Sequence, residues 1–134
     1  MNTLKKTLAI GLSGAMAAGI AFTASAQDAK TEVSTAHAHA LMAQGANTVA
    51  MAHTHLHHVI NCLVGPRGHG FDAKAGNPCD GMGDGALRDA PRKSDLHSNA
   101  VRALALAERG VGTKDLAAAH DAATKVAQIL SPGG

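Results

Sequence analysis

The sequence contains no tryptophan and no tyrosine, and only two phenylalanines and two cysteines occur among its 134 residues. So few aromatic side chains offer no stacking platform for nucleotide bases, and the basic residues form no long block. This composition argues against nucleic-acid binding. The core has to be built from alanine and aliphatic residues instead, and alanine-rich faces favour closely packed helices over sheets.

The N-terminal segment has the pattern of a secretory signal. Lys5 and Lys6 precede an apolar stretch over residues 8–22, and Ala24-Ser25-Ala26 fits the small-x-small rule for cleavage. The apolar stretch is short and rich in glycine and alanine, which disfavours a membrane span. We therefore expect a signal peptide over residues 1–26 and one exported, periplasmic domain over residues 27–134. Loss of the two lysines would remove the whole formal net charge of +2.

Apolar residues recur with the helical period in both halves of that domain. The predicted helices cover residues 31–44, 48–63, 94–110 and 113–130. Asn47 is the expected cap of the second helix and Thr113 that of the fourth. Gly45 is expected to separate the first two helices, although fusion through this residue into one long helix is an alternative. The predicted fold is all-α, an antiparallel four-helix bundle of two αα-hairpins.

A long glycine-rich segment, residues 65–92, connects the two hairpins and contains Cys79. Connections of this length in a small domain are usually functional, disordered or stapled. Cys62 lies at the end of the second predicted helix, so an exported chain with this isolated pair is expected to form a disulfide. The competing interpretation makes Cys62 a thiolate ligand of a metal, together with His58 one turn earlier.

Four histidines occur within six positions of the second helix: His53, His55, His57 and His58. Imidazole is the commonest metal ligand, and the i, i+4 pair His53 and His57 has the spacing that chelates one ion on a helix. His55 and His58 form an i, i+3 pair on the other flank of the apolar stripe, in line with Met51 and Cys62. Packing does not explain such a concentration, because protonated copies repel one another below about pH 6.5. The cluster therefore predicts a metal site.

Two further histidines are candidates to complete the site. His37 and His120 are each placed by the periodicity on the apolar face of their own helix, where an imidazole needs a partner. The first helix is assigned the face Val33, His37, Ala40, Leu41 and Gln44, so His39 is expected to point away from it. His69 and His97 have weaker positions. The competing interpretation is that the histidines on apolar faces are hydrogen-bonded core residues.

The identity of the metal is not fixed by these residues. Imidazole suits copper, nickel, zinc and iron, and affinity alone favours Cu(II). Met42, Met51 and Met82 offer soft ligands for Cu(I), but no Met-x-x-Met row is present and helical spacing predicts packing for the first two. We found no Cys-x-x-Cys, His-Glu-x-x-His or nucleophile-elbow motif, so an enzyme is not expected.

The segments "AHAHALMAQG" and "AAAHDAATKVAQIL" resemble the small periplasmic metal-binding proteins that are histidine-bearing, alanine-rich four-helix bundles. The resemblance implies uptake of copper, nickel or zinc. This chain lacks a regular heptad of histidines and adds the Cys79 loop, which favours one or a few sites over storage. The sequence thus predicts a metal buffer or carrier with ligands among His37, His53, His55, His57, His58 and His120. The alternatives are a structural module whose loop docks a periplasmic partner protein and a haem-binding helical protein.

Overall fold

A computed structural model describes residues 20–132, which contain five helices and no strand. The helices are α1 Ile20–Gln44, α2 Val49–Val64, α3 Ala86–Asp89, α4 Asp95–Gly112 and α5 Leu116–Leu130. Residues 1–19 of the expected signal peptide lie outside this description, and the expected cleavage point after Ala26 falls within α1. Among the described helices, none is both long enough and apolar enough to cross a membrane.

Side-chain caps fix where the helices begin. Ser94 caps α4, and its hydroxyl accepts from the backbone N–H of His97. The predicted caps Asn47 and Thr113 were wrong by one and two positions. Thr48 caps α2 and Asp115 caps α5, because their side-chain oxygens receive the free N–H groups of the first helical turn.

The first two helices do not fuse, since α1 ends at Gln44 and α2 begins at Val49. Each of the four long helices contacts two others extensively: α1 packs on α2 and α5, and α4 packs on α5 and α2. Their shared core is mostly alanine and aliphatic side chains. Alanine at the contacts allows close approach of the helices, as the composition predicts.

The buried face of α1 differs from the predicted face. Its core residues are Ala29, Ala36, Ala40 and Ala43, whereas Leu41 is 48% exposed. The small alanines face the other helices and the larger leucine faces solvent. The face is therefore rotated around the helix axis relative to the sequence prediction, which brings a different set of polar residues beside α2.

A disulfide links the glycine-rich segment to α2. Cys62 and Cys79 form the expected disulfide, which excludes Cys62 as a thiolate ligand. The segment contains α3, a single helical turn that the sequence analysis did not predict. Its first residue, Gly65, meets Gly85 just before α3; both have positive φ, and a Cβ on Gly85 would collide with the backbone of Gly65. The segment thus forms a closed loop over one side of α2.

Candidate metal centre

Three histidines from two helices meet at the seam between α1 and α2. His39 lies on α1, and His55 and His58 lie one turn apart on α2. The Nδ1 atom of His39 is 3.3 Å from Nδ1 of His55 and 3.2 Å from Nδ1 of His58. All three side chains are half-buried, and they are the one group of three or more potential protein ligands that converges within residues 20–132. We call this group the histidine triad.

The loop fixes the tautomer of His58. Its Nε2 lies 2.6 Å from the backbone oxygen of Ala75, and a carbonyl oxygen can only accept, so Nε2 carries the proton. In the neutral imidazole, Nδ1 of His58 is then an unprotonated acceptor directed at His39. A backbone carbonyl in this position is the usual outer partner that orients a metal-binding histidine.

The two contacts of His39 cannot both be good hydrogen bonds in the neutral triad. If Nδ1 of His39 is protonated, it has one N–H to share between two neighbouring nitrogens. If it is unprotonated, it faces the bare Nδ1 of His58. A single cation among the three nitrogens would satisfy all their lone pairs, and a tetrahedral ion with about 2.0–2.1 Å bonds to imidazole would hold its ligands roughly 3.3 Å apart. The two separations that involve His39, 3.3 Å to His55 and 3.2 Å to His58, fit that requirement, and the ligand atoms of the three residues all lie within 4.8 Å of one another.

The surroundings favour the neutral forms of His39 and His55. Burial, followed by repulsion from His58 and His55, lowers the pKa of His39 from 6.5 to about 4. Burial and His58 also lower the pKa of His55. A metal binds the neutral form of imidazole, so a depressed pKa means that fewer protons compete with the ion near neutral pH.

A buried asparagine holds the loop that orients His58. Asn61 is fully buried on α2, and its Nδ2 donates to the backbone oxygens of Asp72 and Gly76 at 2.8 and 2.6 Å. Its Oδ1 accepts from the backbone N–H of Asp72 at 2.8 Å. These hydrogen bonds lie on either side of Ala75, so Asn61 positions the carbonyl that His58 needs.

The other predicted ligands lie outside the triad. His53 and His57 are half-buried on α2, and within the described residues Nε2 of His53 and Nδ1 of His57 are buried without hydrogen-bond partners. Nδ1 of His57 is 3.8 Å from a carboxylate oxygen of Asp72. His120 donates through Nε2 to the backbone oxygen of Ala46 at 2.8 Å, and His37 is not part of the triad.

The sequence analysis did not select His39. One signal could have identified it: Thr35, His39 and Met42 follow helical spacing on α1, as Met51, His55 and His58 do on α2. Choosing the alanine stripe as the buried face of α1 would have placed His39 beside α2.

Comparison of the chain with protein-family models, with curated proteins and with solved structures finds no match. The case for a function consequently depends on the geometry of the triad.

Proposed function

We propose that this protein binds a transition-metal ion at His39, His55 and His58 and acts as an exported metal buffer or carrier. The observation that carries the proposal is the convergence of three imidazole Nδ1 atoms from two helices, together with the contact of His58 Nε2 with the carbonyl oxygen of Ala75. Copper, nickel and zinc all accept such a set of ligands.

The proposed architecture is the antiparallel four-helix bundle. Residues 45–48 are too short a link to allow a parallel pair of long helices, and His39 near the end of α1 meets His55 near the middle of α2. The hydrogen bond from His120 on α5 to Ala46 ties the second hairpin to the turn of the first. This arrangement would hold the triad between two rigid elements, which favours a defined geometry.

The proposed location is the periplasm. The basic and apolar pattern of residues 1–26 supports export, and the Cys62–Cys79 disulfide suits an oxidising compartment. A binding role, without catalysis, is the simplest use of three imidazoles as the converging groups.

Calorimetric titration of the chelator-stripped, oxidised protein with Zn(II), Ni(II) and Cu(II) tests the proposal. We expect one tight equivalent for at least one of these ions at pH 7.5, and a loss of about 10-fold or more in affinity for His39→Ala. The matched control is His69→Ala, because His69 is an exposed loop histidine outside the triad. Equal binding by His39→Ala and wild type would contradict the assignment of the site.

The original histidine pair can be tested in the same titration. The double variant His53→Ala/His57→Ala should keep the tight equivalent if the triad alone forms the site. Loss of that equivalent in the double variant, with His39→Ala unaffected, would move the site to the other flank of α2.

A further inference from the structure

Two methionine side chains are exposed beside the histidine triad. Met42 on α1 is 50% exposed and Met51 on α2 is 48% exposed. Methionine is an apolar side chain that ordinarily fills gaps in a core. Helical spacing predicts that these two residues pack against other helices, but about half of the surface of each residue is exposed to solvent.

Helical spacing places both thioethers one turn from the triad. Met42 follows His39 by three residues, and Met51 precedes His55 by four, so each is a same-face neighbour of its histidine. Both steps lead towards the turn that joins α1 to α2. Met42 and Met51 thus form the next layer of the seam, between the histidine triad and that turn.

Met82 provides the contrast within the same chain. It lies in the loop, is half-buried, and packs against the hydrophobic core. Its sulfur lies 3.6 Å from the hydroxyl oxygen of Thr35, a residue one turn from His39 on the side away from Met42. Met82 is therefore a packing methionine whose sulfur contacts a polar group, whereas Met42 and Met51 are about half exposed.

We propose that the ion for which this site is built is Cu(I), and that a thioether of Met42 or Met51 binds it together with the histidine triad. The inference rests on the proposed function and narrows the choice of metal from copper, nickel or zinc to Cu(I). Thioether sulfur is a soft ligand that selects Cu(I) over Zn(II), while imidazole binds both ions. Three imidazoles supply three ligands, and a thioether from the adjoining layer supplies the fourth of a tetrahedral ion.

The test uses substitutions that remove sulfur and little else. Leucine is close to methionine in volume and apolar character, so Met42→Leu/Met51→Leu should keep the fold. Cu(I), held reduced by ascorbate without oxygen, is titrated against the chromogenic chelator bicinchoninate, and Zn(II) is titrated calorimetrically. We expect the double variant to lose about 10-fold or more in Cu(I) affinity and to keep wild-type Zn(II) affinity. The matched control, Met82→Leu, should keep both affinities.

The outcomes separate the two proposals. Wild-type Cu(I) affinity in Met42→Leu/Met51→Leu overturns the thioether assignment, while the loss of Zn(II) and Cu(I) in His39→Ala still supports the triad. Failure of the wild-type protein to bind Cu(I) while it binds Zn(II) overturns the inference alone, and failure to bind Cu(I), Zn(II), Ni(II) and Cu(II) overturns both proposals. X-ray absorption of the Cu(I)-loaded protein gives a second readout: copper–sulfur scattering that disappears in the double variant supports the inference, and scattering from nitrogen alone in the wild type contradicts it.

Discussion

Glu32 places a carboxyl group in the interior of the protein. The residue is 1% exposed, and its Oε1 accepts the backbone N–H of Gly85 at 2.8 Å, while Oε2 has no hydrogen-bond partner among the described residues. Burial raises the pKa of Glu32 from 4.5 to about 7; the hydrogen bond from Gly85 opposes this rise, and Asp89, Asp28 and Asp84 reinforce it. The folded protein therefore holds this proton more tightly than the unfolded chain does.

A carboxyl group with a raised pKa stabilises the fold most below pH 4.5, where both states are protonated. That contribution is lost as the pH rises to about 7, by at most on the order of 3 kcal/mol. We expect Glu32→Gln, which stays neutral, to gain stability over wild type progressively between these limits and to keep the gain at pH 8. Urea denaturation at a series of pH values measures this difference.

The difference between the two proteins is the informative quantity, because His39 acts in the opposite direction. The lowered pKa of His39 gives stability that is complete above pH 6.5 and is lost as the pH falls towards about 4. This contribution is common to wild type and Glu32→Gln and cancels between them. Glu108→Gln, at an exposed position, is the matched control and should show no such gain. A constant difference across the pH range would contradict the role of Glu32.

At the scale of the elements, Asn61 joins α2 to the loop. Asn61→Ala removes three hydrogen bonds and leaves backbone groups of Asp72 and Gly76 without partners. We expect a loss of roughly 3 kcal/mol in the free energy of unfolding and, because Ala75 loses its position, about 10-fold weaker metal binding. Chemical denaturation and calorimetry measure the two effects, with the exposed Asn47→Ala as control. Unchanged metal affinity in a folded Asn61→Ala variant would show that the loop does not orient His58.

The helices differ in how well their sequences specify them. The stripe of Leu56, Val59, Ile60 and Leu63 on α2 is large and apolar, so its buried face could be predicted, and the same holds for Val126 and Leu130 on α5. On α1 the buried apolar residues are alanines, which the sequence also places on other faces. Leu41 therefore outweighed the alanines in the prediction, and a face that contains Leu41 also contains His37 and excludes His39. The structure exposes Leu41, so the prediction selected a histidine of α1 that lies outside the triad.

At the scale of the whole molecule, the disulfide secures the long loop. Cys62 and Cys79 are separated by 17 residues, and in the chain-entropy description closing a loop of this size stabilises the fold by about 3 kcal/mol. We expect the double variant Cys62→Ser/Cys79→Ser to unfold at a correspondingly lower urea concentration. A variant as stable as wild type would show that Asn61 and the core hold the loop without the covalent bond.

The four long helices and the disulfide could be predicted because each follows from local patterns: periodicity, glycine breaks and an isolated cysteine pair. The triad could not be predicted in full, because it requires the register of α1 against α2. That register depends on which alanines approach most closely, a property of the assembled helices. The contact of His58 with Ala75 is harder still to predict from the sequence, because it joins a helix to a loop that has no periodic pattern.

If the triad binds an ion as proposed, the hydrogen bond from His58 to Ala75 couples the order of the loop to the affinity for that ion. If a well-ordered loop strengthens binding by favouring the right tautomer, a bound ion must strengthen the loop by the same factor. The exposed residues Ala73 and Lys74 lie directly before Ala75. Metal binding at the triad would then reduce the mobility of these exposed loop residues, so the occupancy of the site would change a property of the protein surface.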